Sequence, residues 1–412
     1  MSFSHLKLLN MKPRERVLTA LAHQEADRIP RDLGGMNSTG ISAFAYPKLV
    51  EALGLPPRKT RVHDTFQMLA LPDVDVLDAL DIDVLTINHG VCSQLDQDHL
   101  WKPFDFGGRL DAEVRNPGSF QVQKDGTVVR ASSRMVPNSY VFDSTSGGQA
   151  LILEGDLPRP DLKELSKNLK KSLLRDDDLQ REAHLCQQVR QRSDRALFYS
   201  GPINTGIGIG HWGGLGIFPL LCLEEPEYIE DLHHLVIEHS IENAKRLLPV
   251  ISENVDILML AADDWGTQQA PIASPDTYKE LFLQPIKEFN DVVAKLAPNC
   301  HRFLHSCGAI YDLIDLVAES GFQILNPVQW TAGGHPYPEW KQKCQNRLAL
   351  WGGGVDTQGT LVHGTPNDVQ NESHTISHHL HQGGGYVFCA IHNLLAEVSP
   401  EKILALYKGA QS

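Results

Sequence analysis

Long apolar runs, an excess of basic residues and a regular cysteine framework are all missing from this sequence. No stretch approaches the roughly 18 consecutive apolar residues of a transmembrane helix, and residues 1–10 lack the apolar core of a secretory signal. Acidic residues outnumber basic ones by 51 to 37, which argues against nucleic acid or an anionic membrane as the main partner. Seven cysteines without a regular spacing are typical of a reduced, cytoplasmic protein.

The chain instead contains an alternation of strand and helix patterns. Short apolar runs, each followed by polar or glycine-rich residues, predict strands near residues 30, 85, 198, 258, 303, 324, 350 and 388. Eight strands that alternate with helices favour an α/β fold closed into a (β/α)8 TIM barrel. A doubly wound sheet fits less well, because no Gly-x-Gly-x-x-Gly motif opens a helix after the first strand.

One region departs from this alternation. Residues 58–82 contain helical patterns, but residues 100–155 are rich in glycine, serine, aspartate and valine, and the sequence alternates on both sides of Asp125-Gly126 as in a β-hairpin. Residues 157–195 are charged and helical. We therefore predict one barrel domain, residues 1–412, with a β-rich and then helical insertion at about 100–195, after the second strand.

The pair His305 and Cys307 follows the predicted fifth strand. Residues two apart on an extended segment point the same way, so an imidazole and a thiolate converge, and Gly308 lets the chain turn away. A nitrogen and a soft sulfur suit zinc, which takes three protein ligands in catalytic sites. His392, at the end of the eighth strand, is the first choice for the third ligand, and Cys389 is the rival.

Two adjacent carboxylates end the fourth strand. Asp263 or Asp264 could complete the metal shell, act as a general base or cap the next helix. Other polar side chains also follow strands, where barrel sites gather; these are Asn88, His89, Asn326, Gln329, Asp356 and Asn393. His374 and His378 lie four apart on a helix that precedes the eighth strand, and we interpret them as part of a surface face.

Five of these segments together resemble the uroporphyrinogen decarboxylase superfamily, and most closely its branch related to corrinoid-dependent methyltransferases. They are Asp263-Asp264-Trp265-Gly266-Thr267-Gln268, Leu304-His305-Ser306-Cys307-Gly308, Ile324-Leu325-Asn326-Pro327-Val328-Gln329, Trp351-Gly352-Gly353-Gly354-Val355-Asp356-Thr357-Gln358, and the stretch from Gly384 to Asn393. The resemblance extends over about residues 11–95 and 196–410 and leaves 100–195 unexplained.

The resemblance implies a choice between two activities. The family's decarboxylases hold substrate carboxylates with arginines after strand one and use an aspartate after strand two, whereas this chain has only Arg31 nearby and then Asn88-His89. The methyltransferases hold zinc with a His-x-Cys pair and a late cysteine. His305 and Cys307 match the pair, and His392 falls where the late cysteine is expected.

The expected function is therefore that of a zinc-dependent methyltransferase acting with a corrinoid protein. A methyl group would move between a small methylated or thiol substrate and a cobalamin supplied by a partner, because the chain has no Asp-x-His-x-x-Gly motif of its own. Asp263, Asp264, Asn326 and Gln329 would orient the substrate, and residues 204–214, with His211 and Trp212, would line the entrance. A decarboxylase or lyase acting on a small molecule and a non-catalytic barrel are the alternatives, and the superfamily often forms homodimers.

Overall fold

The core of the structure, a computed structural model that describes residues 11–144, 159–209 and 216–411, is a curved parallel sheet. Neighbours in the sheet are neighbours in the chain, since the strands follow one another in sequence order around the sheet. The strands are short and almost entirely apolar, as expected for parallel strands buried on both faces. They are Val84–Asn88, Ala196–Ser200, Ile257–Ala261, His301–His305, Ile324–Asn326, Ala349–Trp351 and Tyr386–Val387.

Residues 30–32 close this sheet into a barrel. The amide of Asp32 donates to the carbonyl of Phe388, and the amide of Phe388 donates to the carbonyl of Pro30, each at 2.8 Å. On the other side, the amide of Asp83 donates to the carbonyl of Arg31 at 2.9 Å. This segment therefore occupies the place of the first strand between the eighth and the second, and the predicted (β/α)8 fold is confirmed.

Helices surround the barrel and also close one of its ends. The first helix, Pro13–Leu21, inserts Val17 and Leu21 among side chains from the beginnings of the strands. Above them Phe198, Phe303 and Trp351 fill the barrel interior edge to face, with ring centroids 4.8–6.0 Å apart. The remaining helices are Tyr46–Ala52, Val74–Ala79, Leu162–Lys171, Asp176–Arg192, Ile217–Glu224, Pro226–Ile251, Pro275–Tyr278, Gln284–Leu296, Ile314–Glu319, Tyr337–Cys344, Thr360–His363, Pro366–His381 and Pro400–Gly409.

Buried aspartates tie the beginnings of the strands together. Asp83, whose side chain is fully buried, accepts hydrogen bonds from Arg16 at 2.6 Å, from Arg28 at 2.7 Å and from the amide of Arg31 at 2.9 Å. Asp256 accepts from Arg14 at 2.7 Å and from the amide of Leu197 at 2.8 Å. A buried carboxylate with several donors anchors each of the two segments to its neighbours.

The predicted β-rich insertion follows the second strand. Its hairpin pairs Val122 with Val128 across Asp125-Gly126, as the alternation indicated. Its strands form two small antiparallel or mixed sheets beside the barrel. The first sheet combines Lys102–Asp105 and Asp111–Val114 of the insertion with Thr60–Asp64 and Leu69–Ala70, which precede the second barrel strand. The second sheet consists of Gln121–Val122, Val128–Arg130, Ser133–Met135 and Asp143–Ser144.

Residues 58–82 contain one helix, as the helical patterns in this range indicated, but the first part of the range is a strand. Thr60–Asp64 is a strand that pairs in parallel with Asp111–Val114 and antiparallel with Leu69–Ala70, and only Val74–Ala79 is helical. The pairing partner lies about fifty residues away, so the local pattern could not reveal it. Among the described residues, no helix combines the length and the apolar character needed to cross a membrane.

Candidate metal centre

Three potential metal ligands meet at the carboxyl ends of the fourth and fifth barrel strands. An oxygen of Asp264, a ring nitrogen of His305 and the sulfur of Cys307 all lie within 4.8 Å of one another. His305 is the last residue of its strand and is buried, Cys307 is partly exposed, and Asp264 is exposed. In the described part of the chain this is the one group of three or more such donors whose ligand atoms lie this close together.

The distances between the potential ligand atoms fit tetrahedral coordination of a metal ion. The Nε2 atom of His305 lies 3.4 Å from the Cys307 sulfur and 3.5 Å from Oδ1 of Asp264. Ligands at ordinary zinc distances and tetrahedral angles would be about 3.6 Å apart for nitrogen and sulfur and about 3.4 Å apart for nitrogen and oxygen. One nitrogen, one sulfur and one carboxylate oxygen, with room for a fourth ligand, are a donor set that zinc accepts in catalytic sites.

Asn326 fixes the ring of His305. Its Oδ1 atom lies 2.6 Å from Nδ1 of His305, and its Nδ2 group donates to the carbonyl of Trp351 at 2.9 Å. Because the Trp351 carbonyl can only accept, the amide oxygen must face the histidine, and Nδ1 must carry the proton. In the neutral imidazole, Nε2 therefore presents its lone pair to the cluster, which is the arrangement that orients histidine ligands in metal sites. Ser38 Oγ lies 3.2 Å from the same Nε2 atom.

Two loops meet backbone to backbone to place Asp264 and Cys307. The amide of Cys307 donates to Oδ1 of Asp264 at 2.8 Å, and the amide of Gly266 donates to the carbonyl of Cys307 at 3.1 Å. Gly308 has a φ of +92°, and a Cβ atom built on it would collide with the carbonyl of Gly266. Glycine is thus required where the loop turns away from the cluster.

The electrostatics of the cluster favour a cation at its centre. Burial lowers the pKa of His305, but the neighbouring Cys307 and Asp264 outweigh this effect and raise that pKa well above its usual value. Burial raises the pKa of Asp264, but the hydrogen bond and charge of His305 bring it below its usual range. Two groups that carry negative charge when ionised therefore stabilise positive charge at one point.

His392 lies beside the cluster but outside the group of three. Its Nδ1 atom lies 3.0 Å from Oδ1 of Asn393, whose Nδ2 group donates to Gln67 at 2.9 Å. Burial and then the charge of His305 lower the pKa of His392. The group of three thus contains Asp264 and not His392, and the ligand roles of both residues stay predictions.

The rival ligand, Cys389, lies in the barrel interior. It is 1% exposed and belongs to the apolar cluster that also contains Phe303 and Trp351. Burial, and then the neighbouring Asp32, raise the pKa of its thiol well above the usual value. Burial among apolar side chains is typical of a packing cysteine, and the ligand role of Cys389 stays a prediction.

Three predicted catalytic residues support the loops or the ligands. Asp263 accepts hydrogen bonds from the amides of Ile207 and Gly208 at 2.7 and 3.2 Å, and burial raises its pKa. Gln329 Oε1 accepts from the amide of Gly308 at 2.7 Å. Asn326 is fully buried, with both polar atoms of its side chain engaged. Direct contact of these residues with substrate stays a prediction.

Two cavities border the cluster. The first has a volume of about 490 Å³, includes His305, and is lined chiefly by amides and hydroxyls: Asn37, Ser38, Gln67, Asn88, Ser200 and Asn204. The second has a volume of about 390 Å³, includes Cys307, and has mainly apolar walls: Leu361, Val362, Ile391, Leu395 and Val398. Asp264 and His392 line both. Both volumes are in the range of small-molecule sites.

The structure adds residues that the sequence did not single out. Ser38 follows the first strand in the short 3-10 helix Asn37–Thr39, where the run of small polar residues was the available signal. Gln67 reaches the first cavity from the turn between the strands Thr60–Asp64 and Leu69–Ala70, and no local pattern indicated it. His374 and His378 lie on the outer helix Pro366–His381, away from the cavities. His211 and Trp212 fall outside the described residues.

Comparison with known proteins agrees with the predicted resemblance. Residues 218–412, just under half of the chain, match the family model described as uroporphyrinogen decarboxylase (URO-D). They contain Asp264, His305, Cys307 and His392. The resemblance to that superfamily is thus confirmed for this part of the chain. No protein of curated function matches the sequence.

Three solved structures resemble the chain. A methyltransferase from Methanosarcina mazei is 15% identical with a TM-score of 0.54, and the match covers 97% of this chain and 98% of that one. A psychrophilic glycoside hydrolase family 10 endo-beta-1,4-xylanase is 8% identical with a TM-score of 0.35, and the match covers 54% of this chain and 73% of that one. An endo-1,4-beta-mannanase from Rhizomucor miehei is 11% identical with a TM-score of 0.36, and the match covers 61% of this chain and 91% of that one. The first likeness supports the barrel fold over nearly the whole chain.

Proposed function

We propose that this chain is a zinc-dependent methyltransferase that moves a methyl group between a small substrate and a corrinoid carried by another protein. The observation that carries the proposal is the cluster of Asp264, His305 and Cys307, which lies at the carboxyl ends of barrel strands and borders two cavities. Active sites of this fold lie at that end. The resemblance to the superfamily that contains such methyltransferases supports the same activity.

Zinc would be held by the three residues of the cluster. When bound, it supplies Lewis acidity, which lowers the pKa of a thiol or polarises a methylated oxygen or nitrogen. Asn326 keeps the Nε2 lone pair of His305 directed at the ion, and the Cys307 amide holds the carboxylate of Asp264 in place. The methyl group is transferred without its bonding electrons, which remain on the atom it leaves, while the acceptor atom supplies the new pair.

His392 can act as the general base that accepts a proton from the substrate. Its Nδ1 atom faces the Asn393 oxygen, so Nε2 can accept the proton that a thiol or alcohol substrate gives up. Asn37, Asn88 and Ser200 of the first cavity can hydrogen-bond the rest of a small polar substrate. If His392 is instead the fourth ligand, its replacement by alanine will lower the metal content rather than only the rate.

The geometry argues against porphyrinogen decarboxylation, the family's other activity. That activity would need arginines facing the mouth to hold substrate carboxylates. Among the described residues, neither cavity beside the cluster is lined by arginine or lysine. Arg31, the candidate in the first strand, is buried, and its NH1 group donates to the carbonyl of Leu80.

Metal content and methyl transfer, measured together, test the proposal. We expect about one zinc per chain in the wild type. Cys307→Ala should lose the metal together with transfer to or from free cobalamin, whereas Cys389→Ala should retain both. A wild-type protein that takes up no zinc when it is supplied, or a metal-free Cys307→Ala variant with full transfer activity, would overturn the proposal.

A further inference from the structure

The two cavities beside the metal cluster have different walls and share two lining residues. Asp264 and His392 line both, whereas His305 faces only the first and Cys307 only the second. A metal held between Asp264, His305 and Cys307 therefore borders both spaces. A reaction that brings two molecules together at one metal needs two approaches, and this arrangement provides them.

The chemistry of the two walls differs. The first cavity presents side-chain amides and hydroxyls together with Met36 and Met259. The second presents five aliphatic side chains, and its polar groups are mainly amides, from Gln268, Gln329, Gln358 and Asn393. Of the described residues that line the second cavity, Asp264 is the one acidic residue, and none is lysine or arginine.

We propose that the two reactants occupy different cavities, the small substrate the first and the corrinoid the second. This assignment rests on the proposed function and adds to it the location of each reactant. A corrinoid has an apolar macrocycle with uncharged amide side chains around its edge. Such a molecule matches a wall of aliphatic groups and glutamine amides, which can pair with its amides without burying an unpaired charge.

The size and the rim of the second cavity fit a ligand that arrives on another protein. A volume of about 390 Å³ is too small for a whole corrinoid, so the cavity would take its exposed face while the partner covers the rest. Val362 and Leu395 lie at this cavity and are 42% and 45% exposed. Exposed aliphatic side chains beside a site are groups that a docking molecule would bury.

A charge placed at the second cavity tests this assignment. Val362→Asp should weaken the binding of free hydroxocobalamin, measured by equilibrium dialysis, by about tenfold or more, because the ligand would cover a charged group. The zinc content and the KM for the small substrate should stay at the wild-type values. Val250→Asp is the matched control, since Val250 is 40% exposed on the helix Pro226–Ile251 and lines neither cavity.

The first cavity provides the reciprocal variant. Ser200→Ala should raise the KM for the small substrate and leave hydroxocobalamin binding unchanged, because Ser200 lines only the first cavity. An unchanged affinity of Val362→Asp for hydroxocobalamin, or no binding by a zinc-loaded wild type, would overturn the assignment. If zinc and methyl transfer are nevertheless present, only the location of the corrinoid is wrong. A wild type without zinc or transfer would instead overturn the proposed function, whatever the dialysis gives.

Discussion

At the scale of single residues, the side chains behind the cluster determine how well it can hold a metal. Asn326 selects the histidine tautomer with a free Nε2 atom by accepting from Nδ1 while its own Nδ2 group is held by Trp351. Its position at the end of the sixth strand was predictable from the sequence. Its hydrogen bonds to His305 and Trp351 on the two neighbouring strands were not predictable, because the register between barrel strands determines which residues lie side by side.

We therefore expect Asn326→Ala to lower zinc affinity by about 10- to 100-fold, the usual effect of losing such a support. Asn290→Ala is the control, because Asn290 is also buried and also donates to a backbone carbonyl, that of Ser320, but lies away from the cluster. Competition with a chelator measures the affinity, and thermal unfolding shows whether both variants fold. Equal zinc affinity in the two variants would contradict the role assigned to Asn326.

At the scale of elements, the loops after the fourth and fifth strands act as one unit. The backbones of Gly266 and Gly308 approach so closely that neither glycine has room for a side chain. This contact holds Asp264 beside His305 and Cys307 although the residues lie some forty positions apart. The sequence indicated each strand end separately, from an apolar run followed by polar residues and glycine. It could not indicate that Asp264 lies beside His305 and Cys307 while its neighbour Asp263 accepts hydrogen bonds from the loop at Ile207 and Gly208.

Gly308→Ala should destabilise the protein by about 3 kcal/mol or more, since a strained φ and a collision with the Gly266 carbonyl add together. It should also lower the zinc content of the folded protein. Gly54→Ala shares the positive φ, +70°, but has no atom within 4 Å of the new Cβ, so a loss of about 1 kcal/mol is expected. Denaturant unfolding measures both, and equal losses would show that the close approach is unimportant.

At the scale of the whole molecule, one end of the barrel contains buried ion pairs that stabilise the fold and the other end contains the candidate metal site. The beginnings of the strands carry Asp83 and Asp256, which are buried and paired with arginines, whereas the ends carry the cluster and its cavities. The eight-strand alternation was sufficient to predict the barrel. The pairing of Thr60–Asp64 with the insertion strand Asp111–Val114 was not predictable, because the two strands lie about fifty residues apart in the sequence.

Asp83→Asn should cost about 3–5 kcal/mol of unfolding free energy, because it leaves Arg16 and Arg28 without their buried partner. The folded fraction should still bind zinc, since Asp83 lies at the opposite end of the strands from the cluster. Asp78→Asn is the control: its carboxylate is 65% exposed beside Arg195, so a loss below about 1 kcal/mol is expected. Similar losses in the two variants would contradict the structural role of Asp83.

The segment at residues 30–32 closes the barrel with a few backbone hydrogen bonds, and the turn that follows it brings Ser38 to the Nε2 atom of His305. The segment that closes the barrel thus leads directly to His305, one of the proposed metal ligands. With zinc bound as proposed, opening of this segment and loss of the ion would be linked equilibria: whatever favours the closed segment would favour occupancy, and occupancy would in turn protect the segment from local unfolding.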